Sequence, residues 1–182
     1  MEKQAELYTI GHSTYDKQQF LSILHFFEIK VIADVRSYPG SRRYPHFNKE
    51  NMELWLAENG IGYAHIPQLG GRRRKTEGAD EALTEGWENE AFRNYSAYTL
   101  TEEYERGLDK LIKIAREKTT CVMCAESVPW KCHRLIISNS LVAKGVRVQH
   151  IIDGNARDHE INKYGAPAVI RDSKPVYPKA EG

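Results

Sequence analysis

Thr119-Thr-Cys121-Val-Met123-Cys124-Ala-Glu126-Ser-Val-Pro129-Trp-Lys131-Cys132-His133-Arg134 is the stretch on which the reading of this chain turns. The apolar run Thr119 to Met123 predicts a buried strand. The segment after it, Cys124 to Arg134, packs two thiols, a carboxylate, an imidazole and a guanidinium into eleven residues. In an open α/β sheet, ligands bind where a loop leaves the carboxyl end of a strand and enters a helix. A helix is expected here from about Pro129, tolerated in a first turn, to Lys144, ending at Gly145.

The same arrangement recurs along the chain. Leu7 to Ile10 runs into Gly11-His12-Ser13, Lys30 to Ala33 into Asp34-Val-Arg36-Ser37, and Gly62 to Ile66 into Pro67-Gln-Leu-Gly70-Gly71-Arg72. Arg147 to Ile152 reads as a fifth strand. Helical periodicity lies between them: Phe20, Ile23, Leu24 and Phe27 share one face, as do Met52, Trp55 and Leu56, and Tyr104, Leu108, Leu111, Ile112 and Ala115. Thr99 with Glu102 fits a capping box for the last of these helices. Alternating strands and helices predict a single α/β domain, a mostly parallel sheet with helices on both faces. An open Rossmann-like sheet is expected, with an incomplete TIM-like barrel as the alternative, since both place their loops at one edge.

Residues 1–152 hold this domain and 153–182 a partly irregular C-terminal extension, of which Pro175-Val-Tyr-Pro178-Lys-Ala-Glu-Gly reads as a frayed tail. Residues 70–94 are polar and longer than an ordinary connection, so they form a functional flap, a partner surface or a disordered excursion. Trp87, Phe92, Tyr95 and Tyr98 either pack this stretch onto the body or make a lid or base-stacking platform.

At 182 residues and 41% hydrophobic, the chain buries a core without disulfides or metal. No run approaches the roughly 18 apolar residues of a membrane span. Glu2, Lys3 and Glu6 stand where a signal peptide has its apolar core. Three cysteines, an odd count, suit a reducing compartment. The expectation is a cytoplasmic protein with no membrane partner.

A formal net charge of +1 conceals a segregation. Residues 36–49 carry Arg36, Arg42, Arg43 and Lys49, residues 68–76 carry Arg72, Arg73, Arg74 and Lys75, and neither stretch holds an acid. Both leave strand ends, so in a parallel sheet they share the edge of Cys124 and attract anions there. Tyr38, Tyr44, His46 and Phe47 interleave the first run with rings that suit stacked bases. The plain alternative is turn chemistry on a solvated basic surface.

These motifs together resemble the bacterial and archaeal domain-of-unknown-function family 488. They are Tyr8-Thr-Ile-Gly11-His12-Ser13, Asp34-Val-Arg36-Ser-Tyr-Pro39-Gly-Ser41-Arg42, Pro45-His-Phe47-Asn48, Leu69-Gly70-Gly71-Arg72, Phe92-Arg-Asn-Tyr95, and Met123-Cys124-Ala-Glu126 through Cys132-His133-Arg134. The resemblance covers roughly Tyr8 to Ile152 and implies that these positions are the site candidates. It carries no activity with it.

The chemistry of the residues allows several roles. Cys124, at a strand end facing a helix N-terminus and near arginines, is either a nucleophile with a lowered pKa or a buried small hydrophobe. Cys132 then serves as a resolving thiol, while Cys121 belongs to the core. His12 is a general base, an activator of Ser13, or a ring bonded to nearby backbone; Asp34 is a general base or the partner of Arg36 in a buried ion pair. Gly70 and Gly71 let backbone N–H groups approach an anion.

Cys124, Cys132 and His133 with His12 would suit zinc chemically, but the cysteine spacing is wide and adjacent helical residues point about 100° apart. No metal and no cofactor is expected. With no Gly-x-x-x-x-Gly-Lys-Ser/Thr loop and no Gly-x-Gly-x-x-Gly after the first strand, ATP hydrolysis and ordinary dinucleotide binding are disfavoured.

The leading expectation is an enzyme whose anion-binding pocket takes a phosphate-bearing substrate, a nucleotide or nucleic acid. His12, Asp34, Cys124 and Glu126 form its chemical centre. Ser13, Arg36, Ser41, Arg42, Gly70, Gly71, Arg72, Cys132, His133 and Arg134 hold the substrate. The alternatives are a non-catalytic nucleic-acid-binding module and a cysteine-based redox or sulfur-transfer protein.

Overall fold

Five short segments, β1 (Glu6–Gly11), β2 (Val31–Asp34), β3 (Gly62–His65), β4 (Thr120–Cys124) and β5 (Arg147–Ile152), lie side by side in parallel. The structure is a computed structural model and describes residues 3–180. A sixth strand, β6 (Asn155–Asp158), pairs antiparallel to β5, giving the order β3-β2-β4-β1-β5-β6. β3 and β6 are free edges, so the sheet is open and the barrel alternative does not hold.

Helices cover both faces because the chain steps across the sheet in two directions. From β1 it moves through α1 (Lys17–Phe26) to β2 and through α2 (Lys49–Glu58) to β3. It then reverses through α3 (Glu90–Tyr98) and α4 (Glu102–Glu117) to β4, and through α5 (Arg134–Ala143) to β5. Right-handed crossovers that step in opposite directions must put their helices on opposite faces.

Packing shows that division. Phe20, Leu24, Met52, Trp55 and Leu56 bury against Ile10, Ile32, Cys121 and Met123, whereas Tyr95, Tyr104, Leu108 and Leu135 bury against Leu7, Val122, Cys124 and Val148. Along β4 the side chains alternate between the two cores, as the two-residue period of a strand requires. Cys121 is completely buried in the α1–α2 core, and that burial pushes its thiol pKa up. Cys124 points to the other side.

Several boundaries differ from the sequence expectation. Thr101, not Thr99, caps α4, its hydroxyl accepting from Tyr104 N–H at 3.3 Å, while Thr99 ends α3. Pro129–Lys131 forms a single 3-10 turn, and Cys132 is extended (φ −146°, ψ 174°), so α5 begins only at Arg134. Residues 70–94 are no disordered excursion. They contain a 3-10 turn at Glu81–Leu83 and the first turns of α3, capped by Asn89, whose Oδ1 accepts from Phe92 N–H at 3.2 Å.

The end of the chain is more ordered than its lack of periodicity suggested. Asp153 and Gly154, both with positive φ, make the two-residue turn joining β5 to β6. Asp172 and Ser173 do the same between β7 (Val169–Arg171) and β8 (Lys174–Val176). The stretch read as a frayed tail is held in place as far as Tyr177, which is 1% exposed and whose N–H donates to the Leu83 carbonyl at 2.7 Å. Of the residues used in the sequence reading, Glu2, Glu181 and Gly182 lie outside the described residues.

Candidate functional site

β1 and β4 are neighbours whose outgoing connections leave in opposite directions, which makes the crevice at their carboxyl ends the topological switch point of the sheet. A cavity of about 650 Å³ opens there, lined from β1 by His12 and Ser13, from β2 by Arg36 and Ser37, and from β4 by Cys124 and Glu126. Beyond β1 the pairing with β4 continues as loop. His12 N–H donates to the Cys124 carbonyl at 2.9 Å and Ser13 N–H to the Ala125 carbonyl at 3.0 Å, with Ser13 left-handed at φ 45°. Gly11 is required for this approach, because a Cβ there would stand 1.5 Å from the Glu126 carbonyl oxygen.

The two thiols meet at the cavity wall. Cys124 Sγ and Cys132 Sγ are 3.1 Å apart, and Arg134 N–H, at the start of α5, donates to Cys132 Sγ at 3.4 Å. The hydrogen bond from Cys124, then the His133 imidazole and the Arg134 charge, hold the Cys132 thiol well below its ordinary range despite burial. The same sulfur–sulfur bond, reinforced by burial, pushes Cys124 up. The surroundings of the two sulfurs differ: Cys132 Sγ accepts from the Arg134 N–H, while Cys124 Sγ faces the Glu126 carbonyl at 3.7 Å, so Cys132 is the better placed of the two to hold negative charge. Cys132 lies outside the helix, where the first N–H of α5, from Arg134, reaches its sulfur.

Arg134 lies beneath the loop and does not line the cavity. Completely buried, it donates from Nη2 to the Glu126 carbonyl at 3.0 Å and from Nη1 to Thr9 Oγ1 at 3.2 Å. It braces the thiol loop where an anion contact was expected. His133 Nε2 donates to the Val35 carbonyl at 2.7 Å, Tyr95 meets its ring edge-on, and Gly71 packs so closely that a Cβ would lie 2.5 Å from Nδ1. Gly70 is needed for a similar reason: a Cβ there would lie 2.6 Å from Ser37 Oγ.

Asp34 and Arg36 form the buried ion pair that was one of the two readings of this pair. Arg36 Nε and Nη2 fork onto the Asp34 carboxylate at 2.9 and 2.7 Å, and Nη2 also donates to the Phe47 carbonyl at 2.8 Å. Asp34 further accepts from Tyr63 Oη and from the Arg36 N–H, so it stands behind the lining and aims Arg36. His12 stacks on Phe47 with 4.3 Å between centroids and bonds the Ser13 carbonyl through Nδ1 at 3.0 Å. Burial first, then the Arg36 charge, lower its pKa from 6.5 to about 4. The ring is neutral at pH 7, with Nε2 accepting from Arg36 Nη1 at 3.4 Å.

The basic loops divide. Arg43 and Arg72 line the cavity with Arg36, joined by Lys131, which sequence reasoning passed over although it adjoins Cys132. Glu126 is the sole acid among the lining residues. Ser41 also lines the cavity, while Arg42 and Gly70 do not. Arg73 is turned inward over the Tyr98 ring at 3.8 Å and braces the Gly70 and Pro67 carbonyls. Tyr38, Tyr44, Phe92 and Tyr95 complete the walls, the last two from α3. Among the described residues, no group of three His, Cys, Asp or Glu side chains is arranged to hold a metal ion.

Fold and site together define an open α/β protein with a thiol pair in a cationic crevice at its sheet's switch point. The chain belongs to the family described as Domain of unknown function DUF488, whose model matches residues 16–141. That span includes every lining residue except His12, Ser13 and Thr14. No curated protein and no solved structure matches the chain.

Proposed function

We propose that this protein is a thiol-dependent enzyme acting on a phosphate-bearing substrate of the nucleotide class, with Cys132 as nucleophile. One observation carries the reading: the Cys124–Cys132 sulfur pair, 3.1 Å apart, opens on a cavity lined by four lysine or arginine side chains and one acid. A thiolate already stabilised by a helix N-terminus and a donor thiol attacks without a separate base. Arg36, Arg43, Arg72 and Lys131 supply charge for phosphate oxygens, and the rings of Tyr38, Tyr44 and Phe92 suit a base. Glu126 is the candidate for protonating the leaving group.

The test is alkylation by iodoacetamide, followed residue by residue in mass spectra across pH, with and without inorganic phosphate or adenosine monophosphate. Cys132 is expected to titrate well below the free-thiol value of about 8.5 and to be protected by either anion. An unreactive Cys132 overturns the nucleophile, and an unprotected one overturns the anion pocket.

A second reading, a nucleic-acid substrate, is favoured by Arg42 and Arg74, which are exposed next to the lining arginines and extend the cationic surface beyond the cavity. Duplex affinity then falls with salt at about −0.9 in log–log slope per phosphate neutralised. A flat response confines the substrate to small molecules. No helix among the described residues is long and apolar enough to cross a membrane.

A further inference from the structure

We propose that Cys124 and Cys132 form a redox dithiol that closes to a disulfide by exchange with a small, negatively charged disulfide held in the same cavity. The inference rests on the Cys132 thiolate of the proposed function and gives Cys124 a chemical task of its own. A disulfide needs about 2.05 Å between sulfurs; these stand at 3.1 Å on a shared hydrogen bond. The intervening loop can supply the remaining approach, since Ala125, Glu126, Ser127 and Lys131 are exposed. The two sulfurs also differ in the sense that exchange requires. The attacking sulfur accepts from the Arg134 N–H and belongs to a partly exposed residue at the cavity, while the resolving sulfur belongs to a buried one, shielded from outside reagents.

The atoms balance in two steps. Cys132 Sγ⁻ attacks one sulfur of the small disulfide, breaking its S–S bond, forming a mixed disulfide and releasing one thiolate. Cys124 then gives its proton to that thiolate and attacks Cys132 Sγ. The mixed S–S bond breaks, the Cys124–Cys132 bond forms, and the second thiolate leaves. The protein pair is oxidised by two electrons, and the small disulfide is reduced to one thiol and one thiolate. Arg43, Arg72 and Lys131 favour carboxylate-bearing disulfides over neutral ones.

The experiment incubates the reduced full chain with oxidised glutathione, and in parallel with neutral 2-hydroxyethyl disulfide, and follows peptides by mass spectrometry. Expected are a Cys124–Cys132 linked peptide in the wild type, formed at least tenfold faster with the anionic reagent, and a trapped glutathione adduct on Cys132 in Cys124→Ser. A wild-type chain that stops at the mixed disulfide, or does not react, overturns the dithiol. Equal rates with the two reagents overturn its preference for anions. Where Cys132 still alkylates as a phosphate-protected thiolate but no link forms, this inference fails and the proposed function stands. Where Cys132 shows no thiolate, both fall.

Discussion

His150 Nε2 and His159 Nδ1 stand 2.8 Å apart, the midpoint of a buried hydrogen-bond chain running from the thiol loop to the C-terminal hairpin. Its direction is determined at one end. Asn139 Nδ2 donates to Tyr177 Oη at 3.0 Å, so Asn139 Oδ1 accepts from His159 Nε2 at 2.7 Å. With neutral rings His159 Nδ1 then accepts from His150 Nε2, and His150 Nδ1 from the Thr9 hydroxyl at 2.6 Å. Arg134 Nη1 donates to that same hydroxyl while Nη2 holds the Glu126 carbonyl. With both histidines neutral, as their burial favours, every link has one donor and one acceptor.

Cutting the chain at its centre tests what it supports. His150→Leu leaves the Thr9 hydroxyl proton without an acceptor and His159 Nδ1 without a donor, and should cost about 1–3 kcal/mol, read from urea unfolding. Because the Thr9 hydroxyl that His150 orients is also the acceptor for Arg134 Nη1, the Cys132 alkylation curve should move to higher pH with far-ultraviolet dichroism unchanged. An unmoved curve would confine the chain's role to stability.

The neutral histidines also set a pH window. Burial first lowers His150 from 6.5 to about 3 and His159 from 6.5 to about 4, as it does His12. Below 6.5 the unfolded chain takes up protons that the folded chain refuses. Stability is therefore complete above pH 6.5 and falls as pH drops towards 4, by up to about 1.4 kcal/mol per pH unit for each such histidine. Urea midpoints measured between pH 7.5 and 5, above the usual carboxylate range, check this; a flat profile would contradict the neutral assignment.

Gly11→Ala puts a methyl group into the Glu126 carbonyl. Relief requires the loop after β4 to move, and that loop aligns the two sulfurs. The variant should lose most of its Cys132 reactivity at pH 7, with a clear drop in unfolding midpoint. A chain with wild-type alkylation would show that the loop tolerates the shift.

Asp34→Asn removes the charge opposite a buried Arg36 while keeping the side chain's size. An unpaired buried guanidinium costs about 3–5 kcal/mol, so the substitution should destabilise more than the double change Asp34→Asn with Arg36→Met, which leaves neither charge behind. Urea unfolding of the two variants decides the order, and the reverse order would mean that Arg36 is well hydrated from the cavity.

Tyr177→Ala tests the end of the chain. The ring packs on Trp87 at 5.1 Å between centroids and its hydroxyl accepts from Asn139. Truncating a buried aromatic typically costs about 3–5 kcal/mol. A loss below about 0.5 kcal/mol would restore the tail to the frayed state read from sequence.

Hydrophobic periodicity was sufficient for the five parallel strands, three helices and the edge at which the site lies, because burial on both faces of a sheet writes a short apolar run that chain order cannot scramble. α3 escaped notice because Glu90-Ala-Phe-Arg-Asn-Tyr95 is polar on the face it exposes. β6 escaped although Asp153-Gly154 is the turn chemistry of a hairpin, because the strand it precedes, Asn-Ala-Arg-Asp, is polar and lies at a sheet edge. By itself the sequence determined the α/β class and the carboxyl edge of the sheet as the place where polar residues gather; that the sheet is open, and which of those residues line the crevice, it left undecided. That the two sulfurs meet, and that Arg134 braces while Lys131 faces the cavity, only the tertiary structure decided. A sulfur's acidity depends on the N–H, thiol and imidazole within a few ångströms of it, and those neighbours come from β4, its loop and the first turn of α5 only once the chain has folded.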